Sequence, residues 1–249
     1  MSGHSKWSKV KHFKGAVDSK RSKLFTKLVK EITVAAKMGQ PDPDMNPRLR
    51  LAVQNARAAS MPKDTIERAI KKVAAGTDQS SYEEVIYEGY GPGNIAVVVE
   101  ALTDNHNRTA SSVRTLFNKN QASLGAANSV QYMFERKGTL VLPKSAGTED
   151  QLMDLILEAG ADDLEDLGDE WLVTTSFESF APVRQHLESK GVPVASAELA
   201  RVATQKVVLD DKDTAEKAMN FVEALEDDDD VQKVFSNFDV SEAVLAQLR

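Results

Sequence analysis

Hydrophobic residues in the first third of the chain recur at the spacing of amphipathic helices. Over residues 22–38 an apolar stripe returns every three or four positions, and lysines lie on the opposite side. Gly39 predicts the end of this helix. A second helix is predicted from Asn46 as N-cap, with Pro47 at its first helical position. The pattern predicts a third helix over residues 62–76.

These three helices are predicted to pack through their apolar faces. The expected core positions are Leu24, Phe25, Leu28, Val29, Ile32, Ala35, Ala36, Leu49, Ala52, Val53, Ala56, Ile66, Ala69, Ile70 and Val73. Lysine and arginine occupy the opposite faces. The pattern therefore indicates a compact helical domain with cationic outer faces.

Beyond residue 76 the pattern changes to that of strands. Apolar runs predict strands over 82–90 and 95–103, joined by a tight turn with the sequence GPGN. A helix is expected around residues 110–117. The segment SVQYMFER, at 129–136, is predicted to be a further strand.

The remaining chain alternates strands and helices in a known order. Residues 136–203 follow the order βαββαβ of a ferredoxin-like domain, in which two helices cover one face of an antiparallel sheet. A further strand–helix–strand segment and a short terminal helix follow. The predicted fold class is α+β. It comprises a basic helical domain with an N-terminal arm (1–76), a discontinuous α/β domain (77–135 plus 204–249) and an inserted ferredoxin-like domain (136–203).

Composition narrows the class of protein. A chain of 249 residues with 41% hydrophobic residues is long enough to bury substantial cores. The absence of cysteine excludes disulfides, thiolate metal sites and cysteine nucleophiles. No apolar run approaches the roughly 18 residues of a membrane-spanning helix. We expect a cytoplasmic protein with no membrane contact, no metal and no cofactor.

Charge is distributed unevenly along the chain. Residues 1–76 contain 17 Lys and Arg against 6 Asp and Glu, a net charge of +11, whereas the remainder has a net charge of -18. Such asymmetry indicates a basic module for a polyanion, attached to acidic domains that the same polyanion would repel. Nucleic acid is the expected partner.

Candidate contacts to nucleic acid lie in the N-terminal arm and on the outer faces of the three helices. Trp7 and Phe13 occupy a segment without apolar periodicity, so they are suited to stacking on bases or to filling a pocket of a partner. The predicted nucleic-acid-binding residues are Lys6, Trp7, Lys9, Lys11, His12, Lys14, Lys20, Arg21, Lys23, Lys27, Lys30, Arg50, Arg57, Lys63, Arg68 and Lys72.

Several short motifs along the chain resemble one protein family. They are Gly3-His4-Ser5-Lys6-Trp7, Val10-Lys11-His12, Lys23-Leu24-Phe25-Thr26-Lys27-Leu28, Met61-Pro62-Lys63-Asp64, Glu88-Gly89-Tyr90-Gly91-Pro92-Gly93, Thr103-Asp104-Asn105 and Asn107-Arg108-Thr109. On the evidence of these motifs the chain is similar to the YebC/PmpR family, and the resemblance runs along nearly its whole length.

The resemblance implies a helical domain followed by two α/β domains around a cleft, in a cytosolic protein described as a probable DNA-binding transcriptional regulator. Mitochondrial relatives are described as translational activators, and bacterial relatives have been linked to ribosomes stalled on proline runs. Two targets therefore stay open. With DNA, the acidic domains would mediate homodimerisation or protein contacts; with ribosomal RNA, they would lie near a functional centre of the ribosome.

An enzyme is a third alternative, and the sequence argues against it. The histidines, at positions 4, 12, 106 and 186, form no metal-ligand pair of known spacing. Residues 104–108 are interpreted as a helix N-cap and turn cluster, with ligand contact as the alternative. Gly89, Gly91 and Gly93 match no phosphate-loop spacing and predict a hairpin turn with positive φ.

An acidic run, EALEDDDD, occupies residues 223–230. It has three interpretations: a solvated helix end, a site for Mg²⁺ or for a basic ribosomal protein tail, and an internal partner that holds the basic arm when nucleic acid is absent.

Overall fold

The structure, a computed structural model, describes the backbone of residues 17–248 and the side chains of residues 21–247. The helices are α1 (Val17–Met38), α2 (Pro47–Ala58), α3 (Lys63–Ala74), α4 (His106–Lys119), α5 (Glu149–Ala159), α6 (Phe180–Ser189), α7 (Lys212–Glu226) and α8 (Glu242–Leu248). The strands are β1 (Glu83–Tyr90), β2 (Ala96–Thr103), β3 (Ser123–Leu124), β4 (Phe134–Pro143), β5 (Asp163–Asp166), β6 (Glu170–Ser176), β7 (Ser196–Ala203), β8 (Val207–Leu209), β9 (Val231–Ser236) and β10 (Phe238–Val240). The predicted α+β class is confirmed.

The N-terminal helices pack as their apolar patterns predict. Asn46 caps α2, and its side chain accepts a hydrogen bond from the Leu49 amide. The buried residues of α2 are Leu49, Ala52, Val53 and Ala56, as predicted. Together with Ile32 of α1 and Ile66 of α3 they belong to one apolar core. Helix α1 begins five residues earlier than the sequence predicted.

The first sheet has the strand order β3-β1-β2-β9, and its three neighbouring pairs are antiparallel. Its central strand β2 is buried along almost its whole length, as predicted. Helices α4 and α7 contribute to the same core, where Phe117 and Phe221 meet edge to face with ring centroids 4.9 Å apart. Strands β8 and β10 form a separate parallel pair.

The three glycines predicted to need positive φ divide into two kinds. Gly93 has a φ of 74°, as the turn requires, and Asn94 follows with a φ of 58°. Gly91 instead has an extended φ of -96°, and Gly89 lies within strand β1 without a positive φ, so the prediction is wrong at both positions. A Cβ at Gly91 would lie 2.8 Å from the Phe221 ring, and one at Gly89 would lie 2.3 Å from the Ser123 carbonyl oxygen. Close packing thus requires glycine at these two positions.

The strand predicted over 129–136 begins only at Phe134. Residues 131–133 form a 3₁₀ turn instead, because the buried carboxylate of Glu88 accepts hydrogen bonds from the amides of Asn128, Val130 and Gln131. These amides are therefore held by a side chain and are unavailable to a strand ladder.

The described chain divides into two compact units. One comprises the residues up to Phe134 together with those from Ala203 onward, and the other is Glu135–Val202. The second unit follows the order βαββαβ, with sheet order β5-β6-β4-β7. This is the ferredoxin-like arrangement expected from the sequence. Among the described helices, none is both long enough and apolar enough to cross a bilayer.

Candidate nucleic-acid interface

The predicted nucleic-acid contacts fall into three groups in the structure. Lys6, Trp7, Lys9, Lys11, His12 and Lys14 lie outside the described residues, and only the backbone of Lys20 is described. A second group, on α1, meets an acidic part of the same unit. The third group lies on α2 and α3.

The α1 group consists of Lys23, Lys27 and Lys30, which follow one face of the helix at i, i+4 and i+7. All three ammonium groups contact residues 226–230, which we call the acidic segment. Lys27 donates a hydrogen bond to the Glu226 carbonyl oxygen. Lys23 donates a hydrogen bond to the Asp227 carbonyl oxygen at 3.1 Å. Lys30 donates to the Asp230 carboxylate at 2.9 Å and to the Asp229 carbonyl oxygen at 2.7 Å.

The acidic segment begins at the C-terminal end of α7, which explains why lysines collect there. The last carbonyl groups of a helix have no partner within the helix, and they form the negative end of its dipole. Ammonium groups satisfy both the hydrogen bonds and the charge. Burial lowers the pKa of Lys27, and the carboxylates of Glu226 and of residues 227–229 oppose that shift.

The buried end of the acidic segment is Asp230, which immediately precedes strand β9. Its carboxylate contacts side chains of both α1 and α4. It accepts hydrogen bonds from the Arg108 guanidinium at 2.8 Å, from the Thr109 hydroxyl at 2.7 Å and from Lys30. Burial by itself would raise the pKa of Asp230, but these hydrogen bonds outweigh it and lower the pKa. Because the Thr109 proton goes to the carboxylate, the Thr103 hydroxyl, 2.7 Å away, donates to the Thr109 oxygen and helps to position it.

The cluster at 104–108 is the N-terminus of α4, as predicted. Asn105 is the N-cap and accepts a hydrogen bond from the Arg108 amide. The Arg108 side chain bridges Asp104, at 2.9 Å, and Asp230. The cluster therefore supports the acidic segment as well as capping the helix.

A cavity of about 580 Å³ opens between α1, α4 and the acidic segment. Its lining combines cations, hydroxyl groups and carboxylates: Ser22, Lys23, Thr26, Lys30, Arg108, Ser112, Asp228, Asp229 and Asp230. Ser112 donates a hydrogen bond to Asp228 at the edge of this cavity. The described residues contain no group of three or more metal-ligating side chains placed to hold an ion.

The third group has a different environment. Arg57, on α2, and Arg68 and Lys72, on α3, are exposed, and no ion pair joins them to other described residues. Lys63 shares Glu67 with Lys71. Arg50 donates to the carbonyl oxygens of residues 43 and 44, in the loop that precedes its own helix. Arg21 lies outside the three groups, on α1, with its guanidinium over the Phe25 ring.

Sequence reasoning missed the residues that hold the acidic segment, notably Thr103, Thr109 and Ser112. Their small hydroxyl side chains have no periodic or charge signal. The one available signal was Arg108, a cation at the start of a helix, where it opposes the helix dipole and so needs another partner.

Comparisons with known proteins place these domains in one family. Residues 5–76 match the model of the TACO1/YebC protein N-terminal domain, and residues 82–238 match the model of the TACO1/YebC second and third domain. A Rubrobacter xylanophilus protein named "Probable transcriptional regulatory protein" is 51% identical over 249 residues, covering 100% of this chain and 99% of its own. A Treponema denticola protein of the same name is 52% identical over 242 residues, with 97% and 98% covered.

A solved structure is similar over nearly the whole chain. The conserved hypothetical protein Aq1575 from Aquifex aeolicus has 44% sequence identity and a TM-score of 0.85, covering 92% of this chain and 95% of its own. Both domain models and these full-length relatives agree, and the chain belongs to the TACO1/YebC family.

Proposed function

We propose that this chain is a non-enzymatic, nucleic-acid-binding regulator of gene expression, with duplex DNA as its target. The observation that carries the proposal is a set of exposed cations, Arg57 on α2 and Arg68 and Lys72 on α3, which together we call the α2–α3 surface. Lys23 and Lys30 of α1 form ion pairs with carboxylates of the acidic segment. The cations of the α2–α3 surface are exposed and form no ion pair with other described residues.

Exposed cations on rigid helices are suited to phosphate contacts. Each phosphate neutralised by Lys or Arg releases a condensed counterion, so such contacts supply affinity that falls with salt. Arg68 and Lys72 are one helical turn apart on α3, which places both side chains on the same side of the helix. Phosphate contacts fix position without reading sequence, and the surface by itself therefore predicts binding with little selectivity.

The names of the curated relatives favour transcription over translation as the regulated step. The arm residues Lys6, Trp7, Lys9, Lys11, His12 and Lys14 remain proposed contacts on the strength of their charge and of the indole ring. Ribosomal RNA is the competing target, since backbone contacts of this kind serve RNA as well as DNA.

The test is the salt dependence of binding to short duplex DNA. The variant R57A/R68A/K72A should lower affinity and flatten the slope of log K against log salt by about 0.9 for each phosphate that is no longer neutralised. Its matched control is K190A/K206A/K217A, which removes the same charge from exposed positions outside the three N-terminal helices and should keep the parent slope. Equal slopes in the two variants would exclude the α2–α3 surface.

The target is decided by a parallel measurement with the intact chain. Duplex selectivity of about 10³ or more over a scrambled competitor is the low end of specific recognition and supports a DNA regulator. Duplex binding without selectivity, together with co-sedimentation of the chain with ribosomes, would instead assign it to the translation machinery.

A further inference from the structure

The α1 lysines have the spacing of a phosphate-binding face but bind oxygen atoms of their own chain. Lys23, Lys27 and Lys30 extend over about 10 Å of helix, and the acidic segment runs along them. Its carbonyl oxygens and carboxylates accept hydrogen bonds that these lysines could otherwise donate to phosphate oxygens.

The contacts differ in exposure from one end of the segment to the other. At the outer end, the side chains of Lys23 and Asp227 are 43% and 53% exposed, and their charged atoms are 3.8 Å apart. At the inner end, those of Lys30 and Asp230 are 13% and 10% exposed and 2.9 Å apart. An exposed pair at that distance contributes little to stability, because water and salt screen it. The outer end can therefore exchange partners while the inner end stays anchored.

The inner end has partners other than Lys30. Arg108 and Thr109 hold the Asp230 carboxylate, and Ser112 holds Asp228. The cavity of about 580 Å³ lies beside these contacts, and Ser22, Lys23 and Thr26 line it together with the carboxylates of residues 228–230. The Thr26 hydroxyl donates to the Ser22 carbonyl oxygen, so a phosphate group entering there would depend on the Lys23 ammonium group and on movement of the exposed carboxylates.

We infer that the acidic segment is an internal competitor of nucleic acid for the lysines of α1, and that its outer residues, Asp227 and Asp229, reduce the affinity of the chain for a phosphate backbone. The inference rests on the proposed function, and it concerns a second face, α1, rather than the α2–α3 surface. Nucleic acid bound through α2 and α3 would reach full affinity only by displacing the outer end of the segment from Lys23 and Lys27.

The test is the full-length variant D227N/D229N, which keeps the carbonyl oxygens and leaves Asp228 and Asp230 in place. It should bind short duplex DNA more tightly than the parent, with a slope of log K against log salt that is steeper by about 0.9 for each lysine that newly binds a phosphate. Adding K23A/K27A should abolish this increase in affinity. The matched control is E149Q/D154N, which removes two charges from exposed positions of α5 and should leave the slope unchanged.

If D227N/D229N and the control E149Q/D154N increased the affinity equally, the total charge of the chain would be responsible and the inference would be overturned. An unchanged slope of log K against log salt in D227N/D229N would also overturn it. If instead neither the parent nor any variant binds nucleic acid, the proposed function fails.

A second measurement uses the parent alone: saturating duplex DNA should reduce acetylation of Lys23 and increase carbodiimide labelling of Asp227. Both residues losing reactivity, or neither changing, would contradict displacement.

Discussion

Glu88 shows how one buried side chain determines the course of a loop. Its side chain is almost completely buried, and its carboxylate accepts hydrogen bonds from the backbone amides of Asn128, Val130 and Gln131 and from the Gln131 side-chain amide. Burial acts to raise the pKa of Glu88, but these donors outweigh it and the pKa is lowered. The ionised form is therefore the one that holds the turn before β4.

We expect Glu88→Gln to lower the free energy of unfolding by about 2 to 4 kcal/mol at neutral pH, because an amide replaces a charged acceptor and turns its own N–H groups toward backbone donors. The lowered pKa makes the carboxylate's contribution complete above its ordinary value of about 4.3, and that contribution is lost as the pH falls through the folded pKa. Urea unfolding of parent and variant at several pH values measures this difference.

The control is Glu83→Gln on the exposed end of the same strand, which should be nearly neutral. A difference between parent and Glu88→Gln that persists undiminished at pH values well below 4 would show that the charge of Glu88 is not what holds the turn.

Helix α2 illustrates how a cap can do more than end a helix. The Asn46 oxygen accepts from the Leu49 amide, as an N-cap does, while its side-chain nitrogen donates to the carbonyl oxygens of Ala35, at 2.7 Å, and Gln40, at 2.9 Å. The same amide thus joins the start of α2 to the end of α1. A Cβ at Gly39 would lie 2.5 Å from this nitrogen, so the crossing requires glycine.

We expect Asn46→Asp to destabilise the chain by about 1 to 3 kcal/mol, although Asp is as good an N-cap as Asn. The carboxylate keeps the Leu49 bond but has no donor for the two carbonyl oxygens, of which that of Ala35 is buried. The control is Thr148→Asp. Thr148 caps only its own helix, α5, so this substitution should hardly change the free energy of unfolding. If parent and Asn46→Asp had equal stability in urea, Asn46 would act only as the N-cap of α2.

For the molecule as a whole, the ends of the ferredoxin-like unit lie next to each other. The Thr204 amide donates to the Met133 carbonyl oxygen at 2.9 Å, and the Thr204 hydroxyl donates to the same atom at 3.1 Å. Residues 135–202 thus leave and re-enter the first unit at one point. This is the arrangement that a tolerated domain insertion requires.

We expect replacement of residues 135–202 by a short Gly-Ser linker to leave the first unit folded, since its sheet and core are formed entirely by the remaining residues. The shortened chain should unfold cooperatively, with a smaller dependence on denaturant because less surface becomes exposed. Circular dichroism and amide NMR dispersion measure this. A molten or aggregated product would show that the discontinuous domain is not independent, and the three-domain division would then be wrong.

The local parts of the fold could be predicted from the sequence. Periodicity indicated the core face of α2, the buried strand β2 and the βαββαβ order. Asn46 and the cluster at 104–108 indicated helix starts, because these features depend on neighbours within one or two turns. The concentration of positive charge in the first 76 residues was equally visible. The sixteen individual contacts to nucleic acid stay predictions.

Only the tertiary structure decided which basic helical face lies next to the carboxylates of the acidic segment. Lys23 and its partner Asp227 are separated by 204 residues, and no periodic pattern connects positions so far apart. The same holds for Gly89 and Gly91, whose need for glycine comes from the close approach of Ser123 and Phe221. Sequence determines the charge and amphipathic pattern of each helix through short-range physics, but the pairing of opposite charges depends on which elements the packed core brings within about 4 Å.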